Sequence, residues 1–299
     1  MIYTVTFNPA VDYSMTAKSL NIGETNRSEN EEITFGGKGI NVSFVLNELG
    51  VQTTALGFVA GFTGDYILSE LDRVGIKNDF IKLNDGFSRI NVKLKGESET
   101  EINAQGPIIT NADLEKLFYK LNNLKSGDIL VLAGSIPSSL PDNIYEQILA
   151  KLKDKNIRFV VDATGDLLVN TLKYKPFLIK PNVQELEGIF KTEIKTDDEI
   201  VKFALKLKEM GAVNVLVSRG KDGAILIDEY SNTNKTDAYN IKLVNSVGAG
   251  DSMVAGFLAG YLKNNYGYAL KLGTAAGAAT TASKALAKRS VIEKLVNIK

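Results

Sequence analysis

The chain has 299 residues, 44% of them hydrophobic, which is enough to bury a substantial core. Thirty-five basic residues balance thirty-five acidic ones, so no overall charge favours nucleic acid or an anionic membrane as a partner. The absence of cysteine and histidine excludes disulfides, thiolate nucleophiles, zinc clusters and histidine general bases. Acid–base chemistry must therefore fall to Asp, Glu, Lys or Tyr, and a catalytic metal would be a hard cation such as Mg²⁺.

The sequence contains no apolar run of roughly 18 residues, the length at which a transmembrane helix becomes a candidate. Its first residues, 2–7, are strand-like rather than a basic segment followed by an apolar one. We therefore expect a cytoplasmic protein whose main partner is a small molecule.

Short β-rich segments alternate with amphipathic helical segments through most of the chain. One helical pattern ends at Gly50, and another follows a capping box formed by Thr110 and Asp113. This rhythm predicts an α/β fold, with a mostly parallel central sheet covered by helices on both faces, in a single domain spanning residues 1–299. The predicted core strands are residues 128–134, 158–162, 176–180 and 213–218.

Two segments depart from this rhythm and predict a second, smaller sheet. Residues 89–95 alternate polar and apolar side chains, turn at residues 96–98 and resume the alternation, which indicates a hairpin. Together with the polar stretch at about residues 12–34, the region of residues 87–104 could form a lid over a ligand. The alternative is an ordinary solvated hairpin whose apolar face packs on the core.

A glycine-rich turn leads into an apolar helix at residues 245–252, Asn-Ser-Val-Gly-Ala-Gly-Asp-Ser. Small residues let backbone N–H groups converge at the start of the helix, where its partial positive charge favours a phosphoryl group. Asp251 would then project from the first helical turn towards this anion site and accept a proton from an attacking hydroxyl. The alternative is a plain helix start with an acidic residue that complements the helix dipole.

A second glycine-rich segment, Phe-Gly-Gly-Lys-Gly-Ile-Asn at residues 35–41, also leads into a helix. Its glycines allow the backbone to approach a polar ligand closely, and its lysine and asparagine offer charge and hydrogen bonds to a sugar. The alternative is a tight turn with Asn41 as a helix cap. The chain contains neither a Walker A motif nor a dinucleotide-binding glycine fingerprint.

Residues 36–41 and 247–251 together resemble the two signatures of the PfkB sugar kinases, in the same order and at a similar separation. The resemblance covers essentially the whole chain. It extends to four further segments, residues 6–12, 132–137, 180–185 and 217–223.

The resemblance implies a ribokinase-like three-layer α/β/α fold with a small β-sheet lid, and an ATP-dependent kinase activity. It makes Asp251 the catalytic base. It also implies that the backbone of Gly248, Ala249 and Gly250 forms the anion hole. The residues that it places on the sugar are Asp12, Gly37, Asn41 and Asn103 for the hydroxyls, and Lys38 and Arg89 for the charge.

For the nucleotide, the resemblance implies contacts from two further segments and an indirect role in Mg²⁺ binding for Asn182 and Glu185. These two residues could equally be a helix cap and its first-turn acid. Asn245 and Arg219 depart from the residues that are common in the family, and this leaves the fine positioning of metal and adenine open. The residues implied for ATP binding are Lys180, Asn182, Glu185, Ser218, Gly220 and Gly223.

Arg89 indicates what kind of sugar is bound. A guanidinium can grip a phosphate with two hydrogen bonds, so a lid arginine suits a sugar that already carries phosphate. Residues 8–12 and 88–94 most resemble family members that phosphorylate fructose 1-phosphate, and the tagatose-6-phosphate kinases are the close alternative. A sugar- or nucleotide-binding regulator without catalysis is the alternative from another class. A homodimer formed through the lid is also expected.

Overall fold

The structure is a computed structural model that describes residues 1–263 and 265–298. Its strands are β1 (Ile2–Thr6), β2 (Ala10–Thr16), β3 (Asn30–Gly36), β4 (Thr53–Ala60), β5 (Lys77–Asn78), β6 (Ile81–Leu83), β7 (Arg89–Lys95), β8 (Glu99–Ile102), β9 (Ile129–Ala133), β10 (Arg158–Asp162), β11 (Leu178–Ile179), β12 (Asn214–Ser218), β13 (Ala224–Ile227) and β14 (Thr233–Thr236). Its helices are α1 (Lys38–Glu48), α2 (Gly61–Arg73), α3 (Asn111–Leu121), α4 (Ile144–Leu152), α5 (Gly165–Val169), α6 (Val183–Phe190), α7 (Asp197–Glu209), α8 (Ala249–Tyr261), α9 (Tyr266–Thr281) and α10 (Arg289–Ile298).

The main sheet has ten strands in the order β14-β13-β12-β11-β10-β9-β1-β4-β5, with β6 also paired to β4. In this sheet order, the seven strands from β12 across to β5 run parallel to one another. The strands β13 and β14 are antiparallel additions at one edge. All five residues of β9 are buried, as expected for a central strand covered on both faces. The predicted α/β fold with a mostly parallel sheet is confirmed.

Helices cover both faces of this sheet because the strand side chains alternate between two apolar clusters. Leu130 and Leu132 of β9 belong to the cluster that α3 and α4 cover, and Ile129 and Val131 belong to the cluster beneath α8 and α9. The predicted capping box starts α3, where the Thr110 side chain accepts from the backbone of Asp113.

The second sheet, which we define as β2, β3, β7 and β8, has the order β3-β2-β7-β8. Its register places Asp12 opposite Asn91 and Ala10 opposite Arg89. Because side chains alternate along a strand, Asp12, Arg89, Asn91 and Lys93 share one face. The segments predicted to leave the main fold therefore do form a separate small sheet, although residues 17–29 between its first two strands are not part of it.

Parallel strands end at a common edge of the main sheet, and the chain after each strand end lies near its neighbours there. Ligands in open α/β sheets bind at this carboxyl edge. Within residues 1–263 and 265–298, no helix is long and apolar enough to cross a membrane.

Candidate active site

Two adjoining cavities lie between the carboxyl edge of the main sheet and the second sheet. The larger one has a volume of about 500 Å³ and the smaller one about 310 Å³. Both are lined by Gly37, Lys38 and Arg89, so these residues stand at their junction. The volumes fall in the usual range for small-molecule sites.

Asp251 lies in the first turn of α8, which begins directly after the glycine-rich turn. Gly248 is the helix cap and has a left-handed backbone with φ of 78°, a conformation that favours glycine. Asn41 in α1 donates a hydrogen bond from Nδ2 to Oδ2 of Asp251 over 2.8 Å. The two glycine-rich segments of the sequence are therefore joined through their functional side chains.

The Asp251 carboxylate is only 5% exposed. Burial, and secondarily the nearby negative charge of Asp162, raises the pKa of Asp251 to about 6. The hydrogen bond from Asn41 and the positive charges of Lys38 and Lys180 oppose this rise but do not cancel it. The result is a buried carboxylate with a pKa close to neutrality, which suits a general base.

The start of α8 also provides an anion site. The first N–H groups of a helix have no acceptor within the helix and point towards its N-terminal end. A Cβ atom on Gly250 would lie 3.2 Å from Nζ of Lys180, so the lysine ammonium approaches the helix start over the bare glycine backbone. Backbone amides and an ammonium group thus converge beside Asp251.

Asp162, at the end of β10, connects the two lysines of the site. Its Oδ1 lies 3.2 Å from Nζ of Lys180 and its Oδ2 lies 3.4 Å from Nζ of Lys38. Burial would raise the pKa of Asp162, but the two ammonium groups overcome that effect and hold the pKa below its ordinary value. Asp162 is therefore the buried counter-charge of the site.

No role was predicted for Asp162 from the sequence. The available signal was its position as the last residue of a predicted parallel core strand, where side chains face the ligand edge of the sheet. The partners Lys38 and Lys180 are 124 and 18 residues away along the chain, so the sequence could not reveal the cluster.

On the second sheet, the polar face bears the remaining residues predicted for the sugar. Asn91 Nδ2 donates to Oδ1 of Asp12 over 2.7 Å, and Nζ of Lys93 lies 3.8 Å from Oδ2 of Asp12. Arg89 is partly buried, and burial lowers its pKa. The structure brings the predicted sugar residues and the predicted base together around the larger cavity, which is lined by Asp12, Gly37, Lys38, Asn41, Arg89, Asn103, Gly248 and Asp251.

The residues predicted for the nucleotide lie at the neighbouring strand ends, outside the lining of both cavities. Asn182 and Ser218 form a bridge between the chain segments after β11 and at the end of β12. Gly223 has φ of 88°, and a Cβ atom there would lie 2.1 Å from the carbonyl oxygen of Thr236. Glycine is therefore required in this loop for its own geometry.

Asn182 and Glu185 make the helix-capping contacts that the sequence left as their alternative role. The Asn182 side chain accepts from the backbone of Glu185 over 2.8 Å, and Oε2 of Glu185 accepts from the backbone of Asn182 over 2.8 Å. Both side chains keep further polar atoms, Nδ2 and Oε1, that these two bonds do not use. Capping therefore leaves both of them able to contact a ligand or its water shell.

The two departures from the family pattern both stabilise loops beside the site. The Arg219 side chain is 7% exposed, and its Nη1 donates to Oδ1 of Asp197 at the start of α7 over 2.6 Å, while Nη2 contacts the carbonyl oxygen of Asp222. Asn245 donates from Nδ2 to the carbonyl oxygen of Lys284 over 3.1 Å and accepts from the backbone of Val247. Each side chain thus makes one contact within its own loop and one with a more distant part of the chain.

The described site can take a proton onto a buried carboxylate and hold anions at a helix start between two lysines. These two capabilities are the ones that phosphoryl transfer to a hydroxyl requires.

Comparison with known proteins agrees with this chemistry. A 1-phosphofructokinase of Bacillus subtilis is 46% identical over 99% of this chain and 97% of its own length. A D-tagatose-1-phosphate kinase of Bacillus licheniformis is 37% identical over 98% of this chain and 97% of its own length. The crystal structure of phosphofructokinase-2 from Escherichia coli in complex with substrates and products has a TM-score of 0.93 at 27% identity, covering 99% of this chain and 98% of that one.

The family model described as "pfkB family carbohydrate kinase" matches residues 5–292. This match includes both glycine-rich segments, the second sheet and the strand ends that surround Asp251. The chain therefore belongs to the pfkB family of carbohydrate kinases.

Proposed function

We propose that this protein transfers the γ-phosphoryl group of ATP to a ketose phosphate, converting fructose 1-phosphate to fructose 1,6-bisphosphate. The observation that carries the proposal is the shared cavity in which a buried carboxylate of raised pKa, Asp251, lies together with Lys38 and Arg89. The similarity to a 1-phosphofructokinase supports fructose 1-phosphate as the substrate. Tagatose 6-phosphate is the alternative expected from the sequence, and the similarity to a tagatose-1-phosphate kinase adds tagatose 1-phosphate.

In the proposed mechanism, the sugar hydroxyl attacks the γ-phosphorus and its proton passes to the Asp251 carboxylate. A bond forms between the hydroxyl oxygen and phosphorus, and the bond from phosphorus to the bridging oxygen of ADP breaks. Asn41 holds the carboxylate in place through its 2.8 Å hydrogen bond. The backbone of Gly248, Ala249 and Gly250 offers its amides to the transferring phosphoryl group.

For the nucleotide, we propose contacts from Lys180, Ser218 and the glycines at 220 and 223. Within the described residues, no group of three or more acidic side chains is arranged to hold a metal ion. Asn182 and Glu185, whose capping bonds leave Nδ2 and Oε1 unused, would hold a Mg²⁺ ion indirectly through its water shell. The bound ion would supply positive charge that offsets the negative charge on the ATP phosphates.

The first prediction concerns the substrate. We expect fructose 1-phosphate to give a kcat/KM at least about tenfold above that of tagatose 6-phosphate, equivalent to about 1.4 kcal/mol. A pocket that pairs with one arrangement of hydroxyls leaves polar groups unpaired against another. ADP release measured side by side for fructose 1-phosphate, fructose 6-phosphate, both tagatose phosphates, ribose and adenosine checks this. Equal specificity constants would reject the preference, and no ADP release with any sugar would support the regulator alternative.

The second prediction concerns Asp251 as the base. For the wild type we expect log kcat/KM to fall as the pH drops below about 6, where the carboxylate becomes protonated. Asp251→Asn should lower kcat by roughly two to four orders of magnitude while ATP binding stays nearly intact. Steady-state kinetics and calorimetric ATP titration separate the two effects. A variant that keeps more than about a tenth of wild-type turnover would remove Asp251 from the role of base.

Asp251→Asn should also make the folded protein more stable at neutral pH. The pKa of about 6 in the folded protein lies above the ordinary value of 3.8, so the ionised carboxylate opposes folding. The contribution of Asp251 to the free energy of unfolding of the wild type is therefore most favourable below pH 3.8. We expect this contribution to fall by about 3 kcal/mol as the pH rises through 6. Denaturant unfolding at pH 8 should therefore favour the variant, and near pH 4 the difference should vanish. An equal difference at both pH values would contradict the raised pKa.

The third prediction concerns Arg89. Arg89→Ala should lower kcat/KM for the sugar phosphate, because a charge-assisted contact is lost, and the loss of transition-state stabilisation should be about 2–4 kcal/mol. The KM for ATP should barely change. Lys82→Ala is a matched control, since Lys82 is an exposed cation paired with Asp65 outside both cavities. A large rise in the KM for ATP with unchanged sugar kinetics would instead place Arg89 on the nucleotide.

We further propose that the second sheet closes over the sugar and pairs with its copy in a homodimer. On the face opposite Asp12, a row of side chains crosses all four strands: Ile33, Tyr13, Val92 and Ile102. The two isoleucines are 56% and 59% exposed, which is unusual for aligned apolar residues and suits a contact. Light scattering should give a dimer, and Ile33→Asp should shift it to a monomer. A monomeric wild type would reject this interface.

A cytoplasmic location stays a prediction.

A further inference from the structure

Asn8 lies in the short connection between β1 of the main sheet and β2 of the second sheet. Neither the proposed chemistry nor the proposed sugar contacts assign it a role. It lines the smaller cavity next to Arg89 and Ser135. Its contacts reach two of the other segments that join the second sheet to the rest of the fold.

The first contact is with the chain that leaves β8 and returns to the core. Asn8 Nδ2 donates to the carbonyl oxygen of Gln105 over 2.8 Å. The next residue, Gly106, has φ of 86°, and a Cβ atom there would lie 2.3 Å from Oδ1 of Asn8. The bare glycine backbone thus packs directly on the Asn8 amide, and the returning segment is clamped at this point.

The second contact is with the arginine at the start of β7. Arg89 donates from Nε to the backbone carbonyl oxygen of Asn8 over 3.1 Å. The side chain is partly buried and lines both cavities. Among the described residues its two terminal nitrogens have no hydrogen-bond acceptor, so the main-chain oxygen of residue 8 fixes the guanidinium through Nε and leaves Nη1 and Nη2 for a ligand. The Asn8 side chain acts on this bond indirectly, because its own contacts with residues 105 and 106 hold the backbone at residue 8 in place.

Ser88, the residue before Arg89, is anchored independently of Asn8. Its hydroxyl accepts from the backbone of Ala60 over 3.0 Å, and its carbonyl oxygen accepts from the Thr63 hydroxyl over 2.7 Å. The backbone entering β7 is thus fixed to the core. This anchor fixes neither the guanidinium of Arg89 nor the chain that leaves β8. Residue 8 contacts both of them.

We propose that Asn8 is a positioning residue that couples the returning segment at residues 105–106 to the orientation of the Arg89 guanidinium, and thereby sets the preference for a phosphorylated sugar over an unphosphorylated one. The proposal rests on the proposed function. It differs from a purely structural clamp because it predicts a change in substrate discrimination and not only in stability.

The experiment compares Asn8→Ala with Gln105→Ala. The second is a matched control, because Asn8 binds the backbone oxygen of residue 105 and the exposed Gln105 side chain is dispensable for that bond. For Asn8→Ala we expect the KM for fructose 1-phosphate to rise about tenfold, with kcat and the KM for ATP within about twofold of wild type. The ratio of kcat/KM for fructose 1-phosphate over fructose should fall by a similar factor. Gln105→Ala should match the wild type in all of these values.

Two further variants keep the test decisive if Asn8→Ala folds poorly. Asn8→Asp keeps the size of the side chain but replaces the Nδ2 donor by an acceptor and adds a negative charge, whereas Gly106→Ala disturbs the same contact from the other side without any change of charge. Both should reproduce the loss of discrimination. An unchanged ratio of fructose 1-phosphate to fructose in folded Asn8 variants overturns the proposal, as does a loss confined to kcat or to thermal stability.

Amide hydrogen exchange separates this proposal from the proposed function. Exchange across residues 103–109 should accelerate in Asn8→Asp, whereas the segment around Ser88 should keep the wild-type rate because its anchor is separate. If the wild type phosphorylates no ketose phosphate, the proposed function is wrong, and the exchange data still decide the clamp. Unchanged exchange across residues 103–109 would overturn the coupling even in an active enzyme.

Discussion

The ion cluster of Lys38, Asp162 and Lys180, in which Asp162 and Lys180 are buried and Lys38 is partly exposed, is the constraint on which the rest of the site depends. Two ammonium groups at 3.4 Å and 3.2 Å from one carboxylate give the cluster one more positive than negative charge, and the nearby Asp251 carboxylate offsets this charge while it is ionised. Once Asp251 takes up a proton, one positive charge is left that a bound anion would offset. Removing Asp162 would leave both lysines without their shared partner and would push them apart. The cluster thus keeps two cations close together in a place that water only partly reaches.

Asp162 and Asp251 are both buried, yet their pKa values move in opposite directions. Asp162 contacts two ammonium groups and its pKa is lowered, whereas Asp251 receives a single hydrogen bond from a neutral amide and its pKa rises to about 6. The negative charge on Asp162 contributes to that rise. Pairs of carboxyl groups whose environments separate their pKa values in this way commonly divide the work of charge stabilisation and proton transfer. Here the carboxylate whose pKa is lowered contacts the lysines, and the one whose pKa is raised remains free to take up a proton.

Much of this arrangement could be predicted from the sequence, because the signals are local. Glycine-rich turns before apolar helices indicate anion sites by backbone geometry alone, and strict alternation in β7 indicates a sheet with one polar face. The cluster around Asp162 could not be predicted, because parallel strands join residues that are distant along the chain. For the same reason the sequence located β2 and β3 only as a polar stretch, and their pairing with β7 follows from long-range register. The sequence also left open whether Asn182 and Glu185 cap a helix or contact a ligand, since both roles call for the same residue types. The structure shows the capping contacts, and the ligand contact stays a proposal.

The groups proposed for the reaction lie on two sheets and are held in different ways. Those proposed for the transferred phosphoryl group lie on α8 and on buried strand ends, where packing on both faces of the main sheet fixes them. Those proposed for the rest of the sugar lie on the second sheet, whose side chains hold one another across strands, as Asn91 and Lys93 do with Asp12. Because those contacts stay within the second sheet, they hold its polar face together independently of the core. The orientation of the sheet relative to the core is set by its connections to the main sheet and by the packing of Val11 and Phe35 on the apolar cluster that includes Ile40 and residues of α2. We therefore expect small changes at these contacts to alter which sugar fits without disturbing the base.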